Sequence, residues 1–369
     1  MSALNSICPY FTMFPLAFPS GIIKKYLQEP GGCVLDPFCG RGTTNYSARE
    51  NRLFSIGIDS NPVAYSISLA KIANTSPDRI MKELHNILNS TANYDVPSDE
   101  FWEMVYHPHV LREICKIRSA LIDDCFSDER VALRGIILGA LHGGLTKTVP
   151  SYLSNQAPRT YSPKPAYSIG FWKARGLCAP DVDVCEIIKR RAEKYYSPEE
   201  KVCRGMIIEG DCTKSSIFNL VKDRLERENK GVSLVITSPP YYGMNTYITD
   251  QWIRNWFIGG SSKVDYSKNR QIEYNNPKDF ANILRSVWSN CASVSNTNTK
   301  MFIRLGAIRS ADSSPLDILE SSLDSTSWEI KSIESAGDPP ASSRQANSFN
   351  ANMKQCRLEI DAMCECCLP

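Results

Sequence analysis

Histidine is scarce in this chain, with four among 369 residues. Two of them, His107 and His109, lack further ligands at a usual metal spacing, which argues against a histidine-built metal centre. A long apolar run is also missing. The longest, Ile136 to Leu145, is interrupted by Gly139, His142, Gly143 and Gly144. It falls short of the roughly twenty residues that a membrane-spanning helix needs. Neither sign of charge dominates: 42 Lys and Arg face 40 Asp and Glu, a net +2. No global basic field draws nucleic acid, so any such attraction must come from a local patch. Internal repeats, long low-complexity tracts and the charge-plus-apolar start of a signal peptide are absent too. The 14 cysteines follow no small-scaffold framework and read as free thiols in a reducing cytoplasm. Cys364, Cys366 and Cys367 have no second pair at metal spacing and read as a tail.

What is present is a nucleotide-type α/β pattern. Residues 33–37 (CVLDP) are a short apolar run ending in Asp36 and Pro37. FCGRGTT follows at 38–44, then a helix-permissive stretch to Asn51, then a second apolar run, Leu53 to Ile58, ending at Asp59. Pro62 to Ala73 has helical spacing. Strand, Gly-rich turn, helix, strand, acid, helix is the opening of a parallel sheet. Gly40 and Gly42 permit a tight turn and a close backbone approach. Asp59 is placed to hold two ribose hydroxyls. The third glycine of the dinucleotide fingerprint is missing, and so is the Lys-Ser/Thr of a phosphate loop. A nucleoside without a pyrophosphate fits better.

Two further strands are predicted, 205–212 (GMIIEGDC) and 232–237 (VSLVIT). The second runs into the corner SPPYY. Paired prolines cannot continue a central strand, because neither has an N–H to give the ladder. Four strand ends are thereby marked: Asp36, Asp59, Asp211 and Ser238. Ligands of open α/β sheets bind at such carboxyl ends. The Ser238 hydroxyl and the Pro239 carbonyl can accept both hydrogens of an exocyclic amine, and Tyr241 can stack on its ring. Accepting both hydrogens turns the nitrogen lone pair toward an electrophile, by positioning and electrostatics.

DPFCGRGTT together with TSPPYY resembles the amino-methyltransferases that methylate exocyclic amines of DNA bases with S-adenosylmethionine. The resemblance covers roughly residues 7–75 and 200–310. It implies a Rossmann-like class I methyltransferase fold: α/β, with a seven-stranded mixed sheet and a largely helical inserted target-recognition region. It implies S-adenosylmethionine as cofactor. Phe11 and Thr12, within PYFTMFPLAFP, would lie near its methionine end. Asp36, Phe38, Gly40 and Gly42 would line it, and Thr43 would sit near its carboxylate. Asp59 would take the ribose and Asp211 would lie near the adenine amine. Ser238, Pro239, Pro240 and Tyr241 would form the catalytic corner. A serine in that corner is typical of N4-cytosine enzymes, an Asp or Asn of N6-adenine enzymes. N4 methylation of cytosine in duplex DNA, by base flipping, is therefore the expected activity. N6-adenine methylation and RNA methylation on the same scaffold are the alternatives. The implied partner is double-stranded DNA, with room for a cognate restriction or defence partner. The implied place is the cytoplasm, on the nucleoid.

Asp59 and Asp211 are 152 positions apart, far more than the about thirty residues of a βαβ unit. Residues 80–200 are thus expected to be an insertion, flanked by a catalytic domain made of 1–79 and 201–369. Helical patterns are predicted at Ile80–Leu88, Asp99–Tyr106, Val110–Cys125, Ala132–Leu141 and Asp183–Tyr195. Residues 146–176 carry Lys147, Arg159, Lys164, Lys173 and Arg175 and no acid. Tyr152 and Tyr161 are interleaved with them. That composition suits phosphate contact and base stacking, and Asn155 and Gln156 could read a base edge. A loop packed on the catalytic domain is the other reading. Lys189, Arg190 and Arg191 form a second basic cluster. Downstream, Thr249–Gly260 is predicted as a helix whose Trp252, Trp256 and Phe257 are core. Lys300–Leu305, Trp328–Ser335 and Gln355–Ala362 would be the last three strands, with helices at Phe280–Cys291 and Pro315–Leu323.

Overall fold

The computed structural model describes residues 3–10, 14–27, 31–144, 149–156, 164–197, 205–243, 251–265, 274–308, 314–336 and 356–367. The strands are β1 (Cys33–Asp36), β2 (Phe54–Asp59), β3 (Met206–Glu209), β4 (Val232–Thr237), β5 (Ser295–Ile308), β6 (Trp328–Ser335) and β7 (Cys356–Cys366). The α-helices are α1 (Ala17–Tyr26), α2 (Thr43–Glu50), α3 (Pro62–Ile72), α4 (Pro77–Asn89), α5 (Glu100–Val105), α6 (Pro108–Asp123) and α7 (Asp128–Ala140). They continue with α8 (Pro165–Lys173), α9 (Val184–Tyr195), α10 (Ser215–Arg227), α11 (Trp252–Phe257), α12 (Pro277–Ala292) and α13 (Pro315–Leu323).

The chain divides into two compact units. One comprises Tyr10–Ser68, Val202–Asn245 and Gln271–Pro369; the other Met1–Pro9, Leu69–Lys201 and Thr246–Arg270. Residues 80–200, expected as an insertion, fall within the second unit together with Met1–Pro9 and Thr246–Arg270.

The first unit holds a seven-stranded sheet in the order β3-β2-β1-β4-β5-β7-β6. Strands β1 to β5 pair in parallel, and β7 lies antiparallel between β5 and β6. Alternate residues of the central strands enter two different cores. Cys33 and Leu35 of β1, Val235 of β4 and Met301 and Ile303 of β5 join Phe218, Leu284, Trp288 and Leu319 from α10, α12 and α13. Val34, Leu234, Ile236 and Phe302 point the other way, to Ile23 of α1 and Ala48 of α2. Burial on both faces explains why these strands read as continuous apolar runs. The seven-stranded mixed sheet is as the sequence implied.

The second unit is helical. Phe101, Trp102, Trp172, Trp252 and Trp256 are buried together. The rings of Trp102 and Trp256 lie 4.3 Å apart. The Trp102 indole N–H donates to the Ser262 carbonyl at 3.1 Å. Trp252, Trp256 and Phe257 are core residues of this unit, as the helical spacing predicted. Arg254 is buried, and its guanidinium donates to the carbonyls of Leu138, at 3.1 Å, and Pro9, at 2.8 Å. Those bonds explain why the 246–270 segment and the chain start belong to this unit. Among the described residues, no helix is long and apolar enough to cross a membrane.

Candidate active site at the carboxyl edge of the parallel strands

β1 stops at Asp36 for two reasons. Pro37 has no N–H to continue the ladder. The Asp36 carboxylate also accepts the Phe38 N–H on Oδ1 at 3.1 Å, which bends the chain into a side-chain-stabilised turn. The same oxygen accepts the hydroxyl of Thr237, the last residue of β4, at 2.7 Å. Asp36 is fully buried. Its other oxygen, Oδ2, has no hydrogen-bond partner. Burial raises its pKa to about 6, against the nearby Thr44 hydroxyl and the bonds from Thr237 and Phe38.

The turn after β1 is held from the side by β2. Gly40 adopts φ +52° and a Cβ there would meet open space. Its N–H donates to Asp59 Oδ2 at 2.9 Å, and the Asn61 N–H donates to Oδ1 at 2.8 Å. Burial raises Asp59 to about 6 as well, with the Asn61 and Gly40 amides acting against it. The Gly40 carbonyl accepts from Ser68 on α3 at 2.8 Å. Gly42 precedes α2 at φ +72°, and a Cβ there would lie 2.8 Å from Ser68 Oγ and 3.0 Å from its Cα. Glycine is needed at 42 for both reasons. Thr43 opens α2, is buried, and leaves its hydroxyl without a partner. The Thr43 hydroxyl and Asp36 Oδ2 are thus the polar atoms at this helix N-terminus that a ligand could use. Phe38 is partly buried against the core, 6.3 Å from the Trp288 ring.

Asp211 is exposed, beyond β3. Its Oδ1 accepts the amide and the hydroxyl of Thr213, at 2.9 and 2.7 Å. Asn290 on α12 fastens this loop by donating to the carbonyls of Cys212 and Thr213.

At the end of β4, Ser238 is half-buried, Pro239 buried, Pro240 exposed and Tyr241 half-buried. The Tyr241 hydroxyl donates to Glu359 of β7 at 2.8 Å. Tyr242 packs instead, 5.1 Å from the Tyr274 ring and 5.7 Å from Phe280. The Tyr274 hydroxyl accepts the Gly243 N–H at 2.7 Å. Asp36, Phe38, Gly40, Gly42, Thr43, Asp59, Asp211 and the corner therefore all belong to one unit and one sheet edge. Phe11 and Thr12 lie outside the described residues. Two participants had no assigned role in the sequence, Thr237 and Glu359. Thr237 was visible as the first letter of TSPPYY; nothing in the local pattern distinguishes Glu359.

The basic, aromatic stretch in the helical unit is only partly as expected. Asn155 and Gln156 are 6% and 2% exposed. Asn155 Oδ1 accepts the amides of Ser151 and Tyr152, both at 3.1 Å. Gln156 donates from Nε2 to the Met104 carbonyl. In this structure Asn155 is turned to its local backbone and Gln156 to the backbone of α5. Residues 165–173, within the stretch read as a target-recognition region and for which no helix is predicted, form α8, seated by buried Trp172. Lys164, Lys173 and Arg175 are exposed, Lys173 beside Glu100 and Arg175 3.9 Å over the Phe171 ring. Arg191 lies over Tyr152, and Arg190 and Arg191 donate to the carbonyls of Pro150 and Ser151. Lys147, Arg159 and Tyr161 lie outside the described residues. No group of three or more His, Cys, Asp or Glu among the described residues could hold a metal ion.

Comparison with known proteins agrees with the sheet edge. A DNA methylase family model matches residues 3–70, which include β1, the Gly-rich turn, β2 and most of α3. Over 100 residues the chain is 30% identical to the Type II methyltransferase M.MjaII of Methanocaldococcus jannaschii, covering 27% of this chain and 19% of that protein. The aligned stretch is thus about a fifth of that relative's length. Among solved structures, the rRNA methyltransferase aviRa of Streptomyces viridochromogenes aligns with 99% of this chain and 93% of its own, at 12% identity and a TM-score of 0.37. TrmN of Thermus thermophilus aligns with 99% and 53%, at 7% identity and a TM-score of 0.38. Likeness that distant does not bear on substrate. The sheet is seven-stranded and mixed, and residues 3–70 are similar to DNA methylases.

Proposed function

We propose that this chain transfers a methyl group from S-adenosylmethionine to the exocyclic N4 amine of cytosine in duplex DNA. The observation that carries the reading is the buried bond from Thr237 to Asp36. It joins the threonine that opens TSPPYY to the acid that closes β1, so the amine-accepting corner stands beside the Gly-rich turn.

In this reading the cofactor supplies an electrophilic methyl on a sulfonium. Asp59 accepts ribose hydroxyls with the lone pairs left by the Gly40 and Asn61 amides. Asp36 Oδ2 and the Thr43 hydroxyl, both buried without partners, take polar groups of the methionine end. Asp211 receives the adenine amine. Ser238 Oγ and the Pro239 carbonyl accept the two amine hydrogens of the flipped base, and Tyr241 covers its ring. No strong base is needed, because the nitrogen becomes acidic once alkylated. Lys164, Lys173 and Arg175, with Tyr152, are proposed contacts to DNA, as are Lys147, Arg159 and Tyr161.

The test is incubation of plasmid DNA with methyl-labelled S-adenosylmethionine, followed by nucleoside mass spectrometry. N4-methylcytosine is the expected product. N6-methyladenine alone would overturn the cytosine assignment, and label in RNA but not DNA would overturn the substrate.

A further inference from the structure

We infer that Glu359 is a positioning residue for Tyr241 and so fixes the aromatic face on which the acceptor base lies; this rests on the methyltransferase reading above. β7 runs antiparallel to β5, so its early residues lie at the edge where the parallel strands end. In that pairing Asp361 stands opposite Arg304, and Glu359 stands opposite Gly306. Asp361 is taken by Arg304, which donates from Nε at 2.7 Å and from Nη2 at 2.6 Å. The same guanidinium lies 4.1 Å from the Phe18 ring centroid, which holds it in place. Glu359 shares the face of Asp361, two residues away. Directly opposite it, Gly306 has no side chain, so the nearest charged β5 side chain to Glu359 is the diagonal Arg304, whose guanidinium is bonded to Asp361. The Glu359 carboxylate instead accepts the Tyr241 hydroxyl at 2.8 Å, 118 positions away in the chain.

In Tyr241, which follows two prolines, the backbone end is stiff and the phenol end is where a partner can fix the ring. The backbone is stiffened by the prolines at 239 and 240. A phenol bonded to a carboxylate is held by a charge-assisted bond, stronger than a neutral one. Ring and corner are then set before the base arrives, which lowers the ordering cost of binding it. Glu359 does not touch the reacting atoms in this account; it acts through Tyr241.

The experiment compares wild type, Glu359→Ala, Glu359→Gln and Tyr241→Phe in labelled methyl transfer to plasmid DNA. Affinity for S-adenosylmethionine is measured in parallel by calorimetry. For Glu359→Ala and Tyr241→Phe, kcat/KM for DNA is expected to fall about tenfold or more, mostly through KM, with cofactor affinity within about twofold. Glu359→Gln keeps an acceptor and is expected to restore most of the loss. The double variant Tyr241→Phe/Glu359→Ala is expected to be no worse than the poorer single one, as for two groups in one contact. Wild-type kinetics in Glu359→Ala would overturn the inference and leave the methyltransferase reading standing. So would losses that simply add, or a parallel loss of cofactor affinity, which marks a merely structural role. A wild-type protein that binds the cofactor and methylates no nucleic acid would overturn the reading, and this inference with it.

Discussion

The Gly40 amide donates to Asp59 Oδ2 over 2.9 Å, so the turn after β1 is pinned by the last residue of β2. One carboxylate thus shapes the turn and, in the proposed reading, receives the ribose hydroxyls. Asp59→Ala should lose both contributions. Its affinity for S-adenosylmethionine should drop by about ten- to a hundredfold, and calorimetric titration measures this. Asp59→Asn keeps an acceptor oxygen for Gly40 and should fall between.

Asp36 should give the fold a pH signature. Its folded pKa is about 6 and the ordinary value 3.8. The folded state therefore binds more protons than the unfolded state between those values. The stability owed to this group is fully present below about 3.8 and declines as pH rises toward 6, by up to about 3 kcal/mol. Urea unfolding of wild type and Asp36→Asn across pH 4 to 7.5 isolates it: the difference between them should change over that window and level off above it. If ionised Asp36 receives the cofactor's ammonium, affinity for S-adenosylmethionine should weaken as pH falls through about 6 in wild type. It should do so less in Asp36→Asn.

Ser238→Ala and Pro239→Ala should act on chemistry. Turnover should fall by about ten- to a thousandfold while cofactor affinity stays nearly constant. Single-turnover rates set beside calorimetry separate the two quantities. An equal loss of both would contradict the assigned role.

Gly42→Ala should destabilise the sheet-bearing unit. The new Cβ would press on Ser68 at 2.8 Å in a backbone at φ +72°. A loss of about 1–3 kcal/mol is expected in urea melts. Ser68→Gly in the same chain should remove the contacts to Oγ and Cβ and recover part of the loss, leaving the 3.0 Å approach to Cα and the backbone strain.

Asn155→Ala should cost stability rather than DNA affinity. The amides of Ser151 and Tyr152 would lose their acceptor, at about 1–2 kcal/mol. The salt dependence of DNA binding should be unchanged, because no phosphate contact is removed.

The five parallel strands were legible because buried parallel strands are apolar runs with abrupt ends, and their ends here carry Asp36, Asp59 and the prolines after Ser238. The helices α4 to α7 and α9 of the second unit were legible from period. Ser215–Arg227, which became α10, passed without notice between two strands that drew the attention. Residues 165–173 carried the Pro, Ser and Tyr of a loop, yet Trp172 turns inward and donates to the Gln156 carbonyl at 2.6 Å, and the segment coils into α8 around it. Asn155 and Gln156 had the right chemistry for a base edge; composition does not say which way a side chain points. The Tyr241–Glu359 bond needs the register of β7 on β5, which no local pattern encodes.

The Thr237–Asp36 bond closes a span of 201 residues. During synthesis, the Gly-rich turn leaves the ribosome long before the strand that completes its neighbour. A nascent chain ending at residue 75 contains the whole stretch matched by the DNA methylase family, yet its Asp36 has no threonine to receive. Helices α4 to α10, with β3 among them, must emerge first. In the proposed reading, competence to hold the cofactor beside the corner is therefore a late event in the life of the chain, and a stalled or truncated product would carry the matched stretch without the proposed site.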